Sequence, residues 1–100
     1  MKKIINGKKY DTETAEWISS YDVTNGRFSD YEEDLYRKRT GEFFLAGEGG
    51  PASKYSQPYG DHGSQSGKGI IPLTEEEARE WVEMHCSADK YEDIFGEVEE

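Results

Sequence analysis

Cysteine, long apolar runs and aliphatic side chains are all scarce in this 100-residue sequence. The single cysteine, Cys86, excludes an internal disulfide and a zinc site built from several cysteines. No stretch approaches the roughly 18 apolar residues that a membrane helix requires. The N-terminal lysines are not followed by the apolar run of a signal peptide. The sequence therefore predicts a cytoplasmic protein that spans no membrane.

The low aliphatic content makes folding depend on the aromatic side chains. Leu, Ile, Val and Phe together account for only 16 residues, and the net charge is −10, a combination typical of disordered chains. Seven Tyr and two Trp favour a folded chain, because each aromatic ring buries a large apolar area. We predict a single folded domain over residues 1–100, since a chain of this length has no room for a second one.

The excess of acidic residues lies in the C-terminal part of the chain. Residues 1–40 contain eight acidic and eight basic side chains, whereas residues 41–100 contain fourteen acidic and four basic ones. Eleven of these acids fall within residues 74–100. Such a segment repels nucleic acid and attracts basic surfaces. We therefore expect no binding of bare nucleic acid by this half, and a basic partner if it has one.

Residues 2–46 form the β-rich part of the prediction. Asn6-Gly7 is typical of a two-residue hairpin turn between strands at residues 2–5 and 8–10. Alternating side chains predict strands over 31–37 and 42–46, joined by a loop in which Gly41 adopts positive φ. Aromatic residues on both faces of this pair indicate that it is central in the sheet. Residues 16–21 also alternate, so a strand is favoured there over a continued helix.

Residues 47–69 are predicted to be a flexible, glycine-rich loop, because seven of the 23 residues are Gly. Tyr55 and Tyr59 are expected to anchor it and to provide secondary contacts with a partner. Residues 47–52 (GEGGPA) partly match a dinucleotide-binding fingerprint, but no helix is predicted directly after them. The sequence therefore predicts no cofactor.

The C-terminal part, residues 74–96, has the pattern of two acidic helices. Thr74 and Glu77 fit a capping box, and Ser87 fits the N-cap of a second helix that ends at Gly96. Residues 97–100 are predicted to be a solvated tail. The predicted fold class is α+β, with a small antiparallel sheet of about three to five short strands and one or two C-terminal helices packed on it.

The acidic side chains of these helices are the candidate partner-binding residues. On the first helix they have the spacing of one face, opposite Ala78, Trp81 and Val82. The six residues are Glu76, Glu80, Glu83, Asp89, Glu92 and Asp93. An exposed helix face lacks the cleft that paired catalytic carboxylates require, so no catalytic residue is predicted. A solvated face that maintains solubility is the simpler interpretation, and a face that imitates a nucleic-acid backbone is the functional one.

The basic residues, the histidines and the cysteine form patterns that are less specific for a function. Arg37, Lys38 and Arg39 form one basic cluster that contacts phosphate or, more simply, protects a sheet edge. Only two histidines are present, which provides no ligand set for a metal. His85 and Cys86 are neighbours on a helix and point about 100° apart, so we expect structural roles rather than a nucleophile pair.

Four segments of the chain resemble a group of small proteins carried on mobile elements of Firmicutes, which includes anti-CRISPR proteins that inhibit the RNA-guided nuclease of type II systems. These segments are residues 2–15 (KKIINGKKYDTETA), 35–45 (LYRKRTGEFFL), 47–50 (GEGG) and 71–78 (IPLTEEEA). The shared motifs are turns, a hairpin and a helix cap, so the resemblance implies no catalytic residue.

Charge and resemblance together predict a non-enzymatic inhibitor that binds the basic nucleic-acid channel of a type II RNA-guided nuclease. Two alternatives remain open at this point. The first is an accessory or regulatory protein of a mobile element that acts through protein contacts. The second is a small enzyme that uses the glycine-rich loop.

Overall fold

The computed structural model describes all 100 residues and has an α+β fold, as the sequence predicts. Four longer strands form the main sheet, two short hairpins accompany it, and two helices end the chain. The strands are β1 (Lys2–Ile5), β2 (Lys8–Asp11), β3 (Glu16–Val23), β4 (Tyr31–Arg37), β5 (Phe43–Gly49), β6 (Gln57–Pro58), β7 (Ser64–Gln65) and β8 (Gly67–Leu73). The helices are α1 (Glu75–His85) and α2 (Ala88–Phe95). Neither helix has the length and apolar character needed to cross a membrane.

The main sheet is antiparallel with the strand order β3-β4-β5-β8. The predicted central position of β4 and β5 is confirmed. Consecutive residues of a strand point to opposite faces, and both Phe43 and Phe44 at the start of β5 are buried. Both faces of the sheet must therefore be covered.

The helices cover one face of the sheet. Ala78, Trp81 and Val82, which share one side of α1, pack with Leu35 and Leu45 of the central strands. The half-buried side chains of α2 extend this core. Both helix starts match the prediction, because Thr74 and Glu77 form a complete capping box and the Ser87 side chain accepts the Lys90 amide. Gly96 has the positive φ expected of the residue that ends α2.

The β1–β2 hairpin covers the opposite face. Its turn has positive φ at both Asn6 and Gly7, the conformation predicted for this pair. Tyr10 contacts Phe44 edge-on at 5.5 Å between ring centroids, and Ala46 and Ile70 complete this second core. The molecule therefore has three layers, with the helices and the hairpin on opposite faces of one sheet.

The flexible loop predicted over residues 47–69 is wrong at both ends. Strand β5 continues to Gly49, and Gly67–Gly69 pair with it as the start of β8. These glycines were interpreted as loop residues, but three of them (Gly47, Gly49 and Gly67) allow close packing. A Cβ on Gly47 would lie 2.4 Å from the Tyr55 ring, and one on Gly49 would lie 2.5 Å from the Ser53 hydroxyl. Glycine in β5 thus lets the following segment lie directly on the sheet.

Candidate functional site

The six predicted carboxylates of the helices are all exposed in the structure. We call this set the acidic helical surface: Glu76, Glu80 and Glu83 on α1, and Asp89, Glu92 and Asp93 on α2. No hydrogen bond or ion pair within the chain involves any of these six side chains, whereas Glu16, Glu33, Glu42 and Glu75 are all ion-paired. The six carboxylates are therefore free to meet an external cation.

The buried side of α1 and the half-buried side of α2 determine the orientation of this surface. Trp81 and Val82 anchor α1 in the core, so the acidic side chains project away from the sheet. Arg79 joins the helices, because its guanidinium donates to the Tyr91 hydroxyl at 3.1 Å and lies 4.6 Å from the Phe95 ring centroid. The carboxylates are thus presented on a fixed pair of helices.

A groove between the helices brings acids from both of them together. Glu83 of α1 and Glu92 of α2 line the same depression of about 470 Å³, with Cys86 and Tyr91 among the other lining residues. Two carboxylates beside apolar and aromatic surface suit a lysine or arginine, whose aliphatic stem packs while its head is paired. This groove is the depression that carboxylates of both helices line.

The predicted basic cluster does not act as one patch. Arg37 pairs with Glu16 at 2.8 Å, and its guanidinium reaches the Ile94 carbonyl. The Lys38 ammonium lies 3.8 Å from the Tyr10 ring centroid and 3.5 Å from a Glu42 oxygen. Arg39 is exposed and has no partner. Of the three, only Arg39 is fully available for an external contact.

The two tyrosines predicted as secondary contacts have different environments. Tyr59 is 68% exposed in the β6–β7 turn and remains available. Tyr55 is buried, so its prediction as a surface contact is wrong, although the expectation that it anchors the segment is confirmed. Its hydroxyl donates to Glu33 at 2.7 Å. Burial, followed by this hydrogen bond and the Glu33 charge, raises the pKa of Tyr55, so the phenol stays protonated.

Sequence reasoning missed the buried carboxylate of Glu33. It accepts hydrogen bonds from Tyr55 and from the Trp81 indole N–H at 2.7 Å, and pairs with the Lys54 ammonium at 2.7 Å. A signal was present, because Glu33 alternates with Tyr31 and Leu35 on one face of a central strand. An acid at such a position needs buried partners. What the alternation does not reveal is that they come from residues 54–55 and 81.

His85 and Cys86 have the structural roles that were expected. The His85 ring stacks on Tyr21 at 3.7 Å between centroids and meets Trp81 edge-on at 4.9 Å. Burial lowers the pKa of His85, which favours the neutral ring near pH 7. Cys86 is the half-buried C-cap of α1, and no hydrogen bond joins the two side chains. The pair has no geometry for nucleophilic catalysis.

A second acidic feature, also missed, lies across the sheet on the hairpin side. Asp22, Glu32 and Glu48 are direct neighbours on β3, β4 and β5, and Lys68 of β8 is opposite Glu48. A hydrogen bond between the carboxyls of Glu32 and Glu48, their mutual repulsion and the nearby Asp34 and Asp22 raise the pKa of Glu32. No group of three or more His, Cys, Asp or Glu side chains has a metal-binding arrangement. The row is therefore a repulsive feature of the sheet.

This row predicts that Glu32→Gln stabilises the protein at neutral pH. Because the pKa is raised, the Glu32 carboxyl binds its proton more tightly in the folded state than in the unfolded chain. The free energy of unfolding therefore increases as the pH falls through this pKa, and decreases again as the pH rises above it. Because the pair is exposed, we expect a gain of only about 0.3 kcal/mol at pH 7. Urea unfolding at pH 7 and pH 4 measures it. A gain as large at pH 4 as at pH 7 would contradict the explanation.

Comparisons of this chain with protein-family models, curated proteins and solved structures found no match. Function must therefore be inferred from the residues themselves. The glycine segment at 47–50 packs against Tyr55 and Ser53 and leads into turns rather than a helix, so it does not have the geometry of a dinucleotide site. The acidic helical surface remains as the best candidate site.

Proposed function

We propose that this protein is a non-enzymatic inhibitor that binds the basic nucleic-acid channel of a type II RNA-guided DNA nuclease. The observation that carries the proposal is the acidic helical surface, whose six carboxylates are exposed and unpaired on two helices packed in a fixed orientation. The resemblance to mobile-element proteins that include anti-CRISPR proteins supports the choice of nuclease.

The physical basis is competition between this protein and nucleic acid for the basic side chains of the nuclease channel. An RNA-guided nuclease holds its nucleic acid in a positively charged channel and recognises the backbone rather than the sequence. Carboxylates on two folded helices that pack against the core present negative charge without the conformational cost of ordering a flexible segment. Glu83 and Glu92, which line one groove, offer a pocket for a basic side chain of the channel. Binding there blocks the entry of guide RNA or of target DNA.

These two points of inhibition are distinguished by the form of nuclease that is bound. An inhibitor of guide loading binds the guide-free nuclease and is excluded once the guide occupies the channel. An inhibitor of DNA binding also binds the guide-loaded form. Biolayer interferometry with the immobilised protein and each form of the nuclease separates the two.

The proposal predicts a strong dependence of affinity on salt. Because the contacts are charged, we expect the affinity to fall on the order of 10- to 100-fold between 50 and 300 mM NaCl, mainly through slower association. Titrations of both nuclease forms at four salt concentrations measure this change. An absence of binding in both forms at 50 mM NaCl, or an affinity that does not vary with salt, would exclude the proposed mode of binding.

A further inference from the structure

A polar groove on the hairpin side of the molecule brings four basic residues together. Lys8 and Lys9 come from β2, and Lys38 and Arg39 follow β4. The groove has a volume of about 450 Å³ and no hydrophobic residue in its lining. We call it the basic groove. Its other lining residues are Asp11, Thr14, Thr40 and Glu42.

Packing of the hairpin on the sheet creates this cluster from segments that are distant in the sequence. The Lys38 ammonium lies over the Tyr10 ring of β2, and Glu42 binds both Lys8 at 2.9 Å and Lys38 at 3.5 Å. Glu42 therefore holds two of the cations in place. Lys9 and Arg39 are exposed and have no hydrogen bond or ion pair in the chain.

We propose that the basic groove binds the phosphate backbone of a nucleic acid. Four basic side chains outnumber the two acidic ones in the lining, so the site carries net positive charge. The Arg39 guanidinium is suited to paired hydrogen bonds with phosphate oxygens, and the lysines act as point charges. Because no apolar side chain lines the groove, it lacks the buried anchors that commonly hold a peptide or a membrane, which favours a polyanion.

The net charge of −10 does not prevent this interaction. The acidic helical surface lies on the helix side of the sheet, whereas the basic groove is built by the hairpin on the other side. Layers packed on a sheet are about 10 Å from it, and the Debye length is about 10 Å at 0.1 M salt. The row of Asp22, Glu32 and Glu48 shares the hairpin side, but Glu32 and Lys38 are separated by the length of β4, about 20 Å at the rise of an extended strand. A phosphate in the groove therefore responds mainly to the local cations. This inference goes beyond the proposed function and does not depend on it.

The test is a titration of the ¹⁵N-labelled full-length protein with a 20-nucleotide single-stranded RNA of mixed sequence. Parallel titrations use a 20-base-pair DNA duplex and phosphatidylserine vesicles. At 50 mM NaCl we expect both nucleic acids to shift the backbone amides of Lys8, Lys9 and residues 38–41. Because Lys8 and Lys38 are paired with Glu42, Lys9 and Arg39 are the two cations free to contact phosphate. For two contacts to a single strand, log K should fall against log salt with a slope of about −1.4.

A pair of charge-matched variants locates the site. Lys9→Glu with Arg39→Glu should weaken RNA binding by about tenfold or more, since neither side chain has a role inside the fold. The control, Arg27→Glu with Lys90→Glu, changes the net charge equally outside the groove and should retain most of the affinity. The inference is overturned by an absence of shifts at these amides with either nucleic acid, by equal affinities of the two variants, or by binding to vesicles alone.

Discussion

Replacing Glu33 with alanine should destabilise the protein by about 3–5 kcal/mol, a large part of the 5–15 kcal/mol typical of a small domain. The Glu33 side chain is fully buried and receives three donors, from Lys54, Tyr55 and Trp81. Alanine leaves the Tyr55 hydroxyl and the Trp81 N–H without a partner in the core. Each unsatisfied buried donor costs roughly 1–3 kcal/mol, and the vacated volume adds to the loss.

Urea unfolding followed by circular dichroism measures the effect, with Glu80→Ala as the control. That control removes the same charge from an exposed, unpaired position, so it should change the free energy of unfolding by less than about 0.5 kcal/mol. Tyr55→Phe removes one donor while keeping the ring, and should cost about 1–2 kcal/mol. If Glu33→Ala and Glu80→Ala unfolded at the same urea concentration, the buried network would have no stabilising role.

Local signals were sufficient to predict much of this fold. The Asn6-Gly7 turn, the positive φ of Gly41 and the Thr74–Glu77 capping box each depend on backbone requirements within a few residues. The central position of β4 and β5 followed from aromatic residues on both faces, which is a property of the strand itself. In each case the residues that form the sequence pattern also form the predicted local structure, within one short segment.

The features that were missed depend on partners distant in the sequence. Strand β8 contains Gly67, Gly69 and Pro72, which are poor strand formers, and it is held by pairing with β5. Composition alone therefore assigned its first three residues to a loop. The pairing of Glu33 with Trp81 and the meeting of Lys9 with Arg39 likewise need the tertiary fold. Single-sequence patterns contain no information about such contacts.

The part of the candidate site that depends on local sequence patterns could be predicted, and the part that depends on tertiary contacts could not. The six exposed carboxylates follow from helical periodicity, so sequence placed them on a solvent-facing surface. Sequence did not predict that Arg37 and Lys38 would be held by acids, by Glu16 on β3 and by Glu42 in the turn that precedes β5. It also did not predict that Glu83 and Glu92 would share a groove, which depends on how α2 packs against α1.

Reversing three charges of the acidic helical surface should abolish binding to the nuclease. The variant Glu76→Lys, Glu80→Lys and Glu83→Lys replaces attraction with repulsion on one face of α1. Close interfacial charge pairs contribute about 1.5–7 kcal/mol each in coupling energy, so we expect the affinity to fall on the order of 100-fold or more. Competition binding against guide RNA, with each form of the nuclease, measures the loss.

The control for this experiment must change the net charge by the same amount, because steering depends on total charge as well as on its position. Glu97→Lys, Glu99→Lys and Glu100→Lys provide it, since all three lie in the exposed tail beyond α2. Both variants shift the net charge of −10 by six units, and circular dichroism checks that the Glu76 change, at the helix start, leaves α1 intact. Retained binding by the tail variant together with loss in the α1 variant locates the contact on the acidic helical surface. Equal losses in both variants would mean that net charge alone attracts the partner, and the proposed site would then be wrong.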